Sequence, residues 1–311
     1  MDSRKPLTLQ ASGLMVVLCL IWALQQVALK ATAVEISPTL QIASRSGVAA
    51  LLVWLFMLAR REQMVWAEGV WRPGILVGLL FSLEFLLIGQ GLNYTSASHM
   101  AVFLYTAPVF AALGLHILIP AERLAWPQWL GIALSFAGMA FAFLGGESAE
   151  SADVGVSRML WGDFLGVLAG FFWGATTVVV RTTGLARLPA TQTLLYQLGG
   201  AFVLLLPAAW LLDDFVFAPS AFGWSSLFFQ TVVVAFASYL AWFWMLRHYL
   251  ASRLGALSFL TPLFGVALGV WLLQEPLTVH FLVGSALVIV GIILVSGYEG
   301  LRAARARFFP S

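Results

Sequence analysis

Two charged side chains lie within long apolar runs of this sequence, where charges are rare. Glu84 is at the centre of the run 73–94, and Arg45 lies about six residues into the run 39–59, one turn after Gln41. An acid at the centre of a bilayer costs about 2.5–3.5 kcal/mol and is functional by default. Glu84 is therefore a candidate partner for a ligand's ammonium group, a proton carrier, or a structural partner of Arg45. Arg45 and Gln41 are candidates for binding a carboxylate.

Aromatic and amide side chains occur in the same runs at helical spacing. Trp22, Gln25 and Gln26 share one face of the first run, and Trp173 and Thr177 repeat this pattern in the sixth. Amides cannot face lipid without partners, so these faces point inward. Packing or interhelical hydrogen bonds explain any one such residue, but the set predicts a polar cavity with aromatic walls. Its other predicted members are Tyr105, Tyr196, Gln197, Tyr239 and Trp242.

The sequence lacks the residue patterns of an enzyme or of a metal protein. No nucleophile with a neighbouring base and no His-Glu-x-x-His motif is present, and the four histidines have no metal-ligand spacing. Neither Lys5 nor Lys30 belongs to a phosphate-binding Gly-rich loop, which excludes ATP-driven transport by this chain. The single Cys19 excludes an internal disulfide. We predict no catalysis, no cofactor and no metal.

The elements that position these side chains are membrane helices. The chain is 61% hydrophobic and 10% charged, with a mean hydropathy of +0.94, too apolar for a soluble domain. Runs of about 20 apolar residues suffice to cross a bilayer. The fold class predicted is an all-α polytopic membrane protein with ten transmembrane helices. The predicted spans are 12–32, 39–59, 73–94, 98–119, 126–145, 160–180, 191–212, 225–246, 254–273 and 280–298.

The distribution of cations predicts the orientation of these spans. Every Lys and Arg except Lys30, Arg45 and Arg158 falls in a tail or an even-numbered connection. Cytoplasmic connections carry an excess of Lys and Arg, so both termini are predicted to be cytoplasmic. The first run carries half of an internal repeat, and we therefore expect it to be a retained helix rather than a cleaved signal peptide. The expected location is the bacterial inner (cytoplasmic) membrane.

The second half of the sequence repeats the first. Trp22 and Lys30 match Trp173 and Arg181 at a shift of 151 residues, and Glu122 matches Glu275 at a shift of 153. Residues 1–150 and 151–311 thus form two predicted repeats of five spans each. Because five is odd, the second repeat enters the membrane from the opposite side, as in many secondary transporters. Pro108 and Pro262 match mid-span and are predicted hinges.

These motifs resemble the EamA family of the drug/metabolite transporter superfamily. The resemblance rests on Trp22 to Lys30, Arg45, Pro108, and Glu122-Arg123-Leu124 followed by Gly131, with second-half counterparts ending in Glu275-Pro276-Leu277 and Gly284. The aromatic-rich spans and the length are most similar to the YddG-type aromatic amino-acid exporters. The resemblance implies ten helices, cytoplasmic termini, and export of amino acids or related metabolites by alternating access.

The function expected is therefore a secondary transporter that exports amino acids, with aromatic and other apolar ones favoured. Export of other small metabolites or drugs, or a facilitative pore, stays open as an alternative, although one acid does not make the charge ring of a channel. The expected partners are a small-molecule substrate and membrane lipid, the latter through a tail containing Arg302, Arg305 and Arg307, with no nucleic acid. A monomer suffices; a dimer through small-residue faces is possible.

Overall fold

The computed structural model describes residues 7–91, 94–95, 100, 103–144, 154–212, 215–273 and 279–308. These residues form helices joined by short connections, with an isolated antiparallel β-bridge between Ile36 and Phe217. In the first half the helices are α1 Leu9–Ala31, α2 Pro38–Ala59, α3 Glu68–Gly91, α4 Ala107–Leu118 and α5 Trp126–Leu144.

The second half continues with longer helices. They are α6 Val154–Thr182, α7 Ala190–Leu211, α8 Ala221–His248, α9 Ala251–Ser258, α10 Leu260–Leu273 and α11 Val279–Phe308. The middle of α8, Phe229–Ser238, is π-helical. Such a wider turn shifts the register of the following side chains and is frequent at functional sites.

Six helices in the described part of the chain are long and apolar enough to cross a membrane: α1, α2, α3, α6, α7 and α8. The helix α4 and the apolar part of α11, Leu282–Val295, are shorter. The predicted span 254–273 is divided between α9 and α10, which are separated by Phe259. The structure is thus an all-helical membrane fold, in which six helices of the described ranges are clearly long enough to span a membrane where hydropathy predicts ten spans.

The two predicted hinge prolines explain part of this difference. Pro108 is the second residue of α4, and Pro262 is the third residue of α10. Both lie in the first helical turn, where the missing N–H has no helical partner to lose. The position therefore differs from the mid-helix kink that the sequence predicts, because the helix before each proline has already ended. The helix is interrupted by a turn before each proline, at Tyr105–Thr106 and at Phe259.

Helices from the two halves of the chain pack against each other. The most extensive contact joins α5 to α11, and α2 packs on α7, α3 on α6 and α7, and α1 on α8 and α10. Glycines permit the α5–α11 contact: a Cβ at Gly131 would lie 2.6 Å from the Gly291 carbonyl oxygen, and one at Gly138 would lie 2.7 Å from that of Gly284. These small-residue faces are therefore used within the chain, whereas the sequence also allows them to pair with a second copy.

Candidate functional site

A cavity lies at the junction of α1, α3, α6, α7 and α8, next to the turn at Tyr105–Thr106 that precedes α4. It leaves about 90 Å³ for the centres of water-sized molecules, where a single water needs about 10–15 Å³. The space therefore accommodates several waters or a small organic molecule. The lining residues are Trp22, Gln25, Gln26, Phe81, Glu84, Phe85, Ile88, Leu104, Tyr105, Trp173, Thr176, Thr177, Gln197, Tyr239, Trp242 and Phe243.

Most of the residues selected from the sequence lie in this wall. They are Trp22, Gln25, Gln26, Glu84, Tyr105, Trp173, Thr177, Gln197, Tyr239 and Trp242. Gln41, Arg45 and Tyr196 lie outside it. The wall also contains apolar residues that the sequence analysis did not select, among them Phe81, Phe85 and Ile88. Two of them could have been predicted, since Phe81 and Ile88 lie three residues before and four residues after Glu84 on the same helix.

Aromatic rings form the wall and hold one another edge to face. The rings of Trp22 and Trp242 have centroids 5.5 Å apart at 77°, and those of Tyr105 and Trp173 are 5.3 Å apart at 83°. Such pairs favour a fixed ring arrangement beyond simple burial. The indole N–H of Trp22 also donates a hydrogen bond of 3.0 Å to the Ser238 hydroxyl, which ties α1 to α8. The wall is thus preorganised by contacts between helices of different halves.

Glu84 is the acidic residue of the cavity wall. It is 6% exposed, and no described basic group lies within ion-pair distance of its carboxylate. Arg45 lies near enough for its charge to interact with Glu84 through space. The sequence left a direct Arg45–Glu84 pair open as a structural explanation, and the geometry does not contain one. Within the described ranges no three His, Cys, Asp or Glu side chains converge on a metal position.

Arg45 lies behind the cavity wall rather than in it. Its guanidinium carbon is 5.1 Å from the centre of the Phe85 ring, and Phe85 lines the cavity. One guanidinium nitrogen donates to the Gln230 side-chain oxygen at 3.3 Å, but Nε and Nη2 are buried without a hydrogen-bond partner. A buried unpartnered donor costs about 1–3 kcal/mol, more when it is charged. Arg45 is therefore poised to accept an anionic partner.

Gln41 belongs to a polar network that holds Gln230 in place. Its amide nitrogen donates to the carbonyl oxygens of Ile36 at 2.6 Å and Leu29 at 3.3 Å. Its oxygen accepts from Thr32 at 3.0 Å and from Gln230 at 2.8 Å. With its amide satisfied in this way, Gln41 positions other residues and has little capacity for a ligand. Gln230 was not predicted from the sequence, although it is an amide within an apolar run and amides cannot face lipid without partners.

The remaining polar groups of the wall differ in how far they are satisfied. The Tyr239 hydroxyl donates to the Gln25 side-chain oxygen at 3.4 Å. The Gln197 side-chain oxygen and the Thr176 hydroxyl are buried without a hydrogen-bond partner, so they can bind a polar ligand group. Gln26 is exposed although it lines the cavity, so an accessible surface reaches the wall there.

Tyr196 serves a packing role instead. It lies on α7 immediately before the cavity-lining Gln197, and its ring covers Gly74 of α3, where an added Cβ would lie 2.5 Å from a ring carbon. Successive helical residues point about 100° apart, so Tyr196 can face α3 while Gln197 faces the cavity. The Tyr196 side chain thus supports the close approach of α3 and α7.

A protein-family model matches both halves of this chain. A model of the EamA-like transporter family matches residues 10–144 and matches again at residues 160–297. The chain belongs to the EamA-like transporter family. Together with the membrane-length helices, membership in this EamA-like family identifies a multi-pass membrane transporter and points away from an enzyme.

Relatives of this EamA-like chain cover nearly its whole length. It is 22% identical over 283 residues to "Uncharacterized transporter YoaV" of Bacillus subtilis (strain 168), with 88% of this chain and 92% of the relative aligned. It is 26% identical over 300 residues to "Uncharacterized transporter YvbV" of the same strain, with 94% and 93% aligned. A crystal structure of a protein matches with a TM-score of 0.76 at 18% identity, covering 92% of this chain and 98% of that one. At this identity the structural match speaks for the fold alone.

Proposed function

We propose that this EamA-like transporter exports amino acids by alternating access, with aromatic and other apolar side chains favoured. It acts as a secondary transporter in the bacterial inner membrane, with both termini in the cytoplasm. The resemblance to the YddG-type aromatic amino-acid exporters is part of this proposal. The observation that carries it is an aromatic-walled cavity holding an acid that has no ion-pair partner in the described part of the chain, next to a buried guanidinium with two nitrogens that have no hydrogen-bond partner there.

The charges at the cavity suit the two ends of a zwitterion. Glu84 in the wall pairs with the ammonium group, and Arg45 behind Phe85 binds the carboxylate through Nε and Nη2, the two nitrogens that have no partner. A bidentate guanidinium–carboxylate pair is a strong and directional interaction in a dry site. A rotation of the Phe85 ring, which covers the guanidinium at 5.1 Å, opens the route between Arg45 and the cavity.

The aromatic wall suits an apolar side chain. Trp22, Trp173, Trp242 and Tyr105 offer both ring faces and ring edges, which favour an aromatic guest in stacked or edge-to-face contact. A polar side chain placed against these four rings would have carbon as its neighbours and would lose its hydration without compensation there. The wall therefore discriminates by the cost of burying polar groups rather than by size alone.

The topology proposed is two inverted repeats of five spans, with the broken helix α9–α10 counted as one. Exchanging the halves relates α1 to α6, α2 to α7 and α3 to α8. The contacts support this scheme, because α3 on α6 corresponds to α8 on α1, and α3 on α7 corresponds to α8 on α2. The interruptions of the helix before Pro108 and Pro262 correspond in the same way. In inverted-repeat transporters the substrate site lies at such an interface between repeats.

A second candidate substrate is an apolar organic cation, as in drug export. The charged residue in the cavity wall is acidic, and it is surrounded by Phe81, Phe85 and Tyr239. Aromatic faces attract cations by about 0.5–2 kcal/mol each. Such a substrate would need Glu84 but not Arg45.

Counterflow in liposomes tests both candidates. We expect liposomes that contain the purified protein and are loaded with unlabelled phenylalanine, tryptophan or leucine to accumulate the labelled amino acid from outside. Arg45→Gln should reduce this exchange at least about tenfold by removing the charge that pairs with the carboxylate. The matched control is Arg158→Gln, which replaces an exposed arginine over Tyr94. Exchange of a labelled organic cation that persists in Arg45→Gln would support the second candidate. Exchange of neither class by the unmodified protein would refute both.

A further inference from the structure

A buried ion pair closes one end of the bundle. Arg181 at the end of α6 pairs with Glu122 in the turn between α4 and α5, and both side chains are fully buried. Glu122 also accepts hydrogen bonds from the backbone N–H of Ala251 at 3.1 Å and the hydroxyl of Ser252 at 3.0 Å, at the start of α9. Arg181 donates to the carbonyl oxygen of Leu246 at 3.4 Å, near the end of α8. One ion pair thus joins four separate parts of the fold.

The ion pair lies directly beyond the cavity along α6. Trp173 and Thr177 line the cavity, and Arg181 follows Thr177 by four residues, one turn or about 6 Å further along the same helical face. A smaller cavity, lined in part by Ala111 and Gly255, shares Trp173 and Thr177 with the central one. Empty space on this side of the central cavity therefore reaches Ala251, whose backbone N–H donates to Glu122.

A buried ion pair is a poor way to gain stability, because desolvation offsets the attraction between the charges. An apolar contact between α6 and α9 would hold a permanent closure equally well. Charges are better suited to a contact that has to open, because each partner can be solvated when the end of the bundle admits water. The internal repeat places the same residue types at Lys30, Ser98 and Glu275, which are the counterparts of Arg181, Ser252 and Glu122 in the other half of the chain.

We propose that Arg181, Glu122 and Ser252 form the cytoplasmic gate of the transport path, closed in this structure. This inference rests on the proposed transport function and assigns a role to residues outside the cavity wall. Opening separates Arg181 from Glu122 and moves the start of α9 away from the turn after α4. The smaller cavity at Ala111 and Gly255 then becomes the passage between the cytoplasm and the central site.

A cysteine placed in the smaller cavity reports on the gate. Ala111→Cys adds one sulfur to a wall residue of α4, in a Cys19→Ser background that keeps a donor to the Leu257 carbonyl. A membrane-impermeant thiol reagent is applied to the cytoplasmic or the outer side of oriented vesicles, and the modification rate is measured. Glu122→Gln keeps the size of the side chain and an oxygen for the Ala251 N–H but removes the charge opposite Arg181.

We expect Glu122→Gln to raise the rate from the cytoplasmic side at least about tenfold. Removing one charge of a buried pair disfavours the closed state by more than the ~1.4 kcal/mol that a tenfold change requires. The control Glu68→Gln removes a carboxylate from the exposed pair with Arg72 and should leave the rate unchanged. Arg181→Lys keeps a charge with a shorter reach, so it should give a smaller increase and should fold if Glu122→Gln does not.

An unchanged cytoplasmic rate in folded Glu122→Gln or Arg181→Lys would overturn the proposal, and so would an increase confined to the outer side. The measurement needs no substrate. If neither amino acids nor organic cations are exchanged but the rate still rises, the proposed function fails and the gate stands. If exchange occurs and the rates do not differ, only the gate fails.

Discussion

Replacing Glu84 with glutamine should weaken substrate binding without weakening the fold. The carboxylate is 6% exposed, lines the cavity and has no described ion-pair partner, so an ammonium group in the cavity would be its first close counter-charge. Glu84→Gln keeps the side-chain shape and one acceptor oxygen, and it removes the charge. The variant therefore isolates the electrostatic part of binding.

The size of the effect follows from the environment of Glu84. A hydrogen bond to a charged group contributes about 1.5–3 kcal/mol when it is shielded from water, so Kd for an amino acid should rise about 10- to 150-fold. A carboxylate at mid-membrane depth costs about 2.5–3.5 kcal/mol, and Glu84 has no direct partner that recovers this cost. The unfolding temperature of the ligand-free variant should therefore stay level or rise. A structural ion pair predicts the opposite, a clear drop.

Direct binding of a labelled aromatic amino acid to purified protein, together with thermal unfolding, tests both parts. The matched control is Ser82→Ala on the same helix, because Ser82 donates to its own helix at Gly78 with a 2.7 Å hydrogen bond and lies outside the cavity wall. The reasoning would be refuted if Glu84→Gln bound as tightly as the unmodified protein, or if its unfolding temperature fell well below that of Ser82→Ala.

Two further predictions concern the packing that positions the cavity. A Cβ at Gly200 would lie 2.8 Å from Gly78 Cα, whereas nothing lies within 4 Å of one at Gly199. Gly200→Ala should therefore destabilise the protein by about 1–3 kcal/mol, while Gly199→Ala should be neutral or stabilise it by up to about 1 kcal/mol; equal unfolding temperatures would contradict this. The 3.0 Å hydrogen bond from Trp22 to Ser238 should give a coupling of about 0.6–1.7 kcal/mol in a cycle of Trp22→Phe and Ser238→Ala, and strict additivity would remove it.

Polar faces on apolar runs could be predicted from the sequence because lipid leaves them no other orientation. Trp22, Gln25 and Gln26 share a face, and all three reach the cavity. The same rule fails between neighbours such as Tyr196 and Gln197, because it gives the polar side of a helix but not which residue on that side meets a neighbouring helix. Tyr196 is held against Gly74 by the close approach of α3 and α7, which depends on both helices.

The partners of the charged residues could not be predicted from the sequence. Arg45 was matched with Glu84 because both are charges in apolar runs, yet its hydrogen bond goes to Gln230, 185 residues away. Glu122 was noted in the sequence only as a repeated residue of a family motif, and in the structure it caps α9 and pairs with Arg181. Hydropathy did not predict the end of a helix just before Pro108, because it measures composition and does not register where a helix stops.

The sequence by itself determined that this protein lies in a membrane, that it is helical and that it contains an internal repeat. Each of these depends on local composition or on spacing along the chain, since a stretch of 20 apolar residues has to satisfy its own backbone in lipid. Only the tertiary structure decided which polar groups meet: Arg45 with Gln230, and Arg181 with Glu122. Those contacts join residues far apart in sequence, and packing between α2 and α8 or between α6 and the turn after α4 sets their distances.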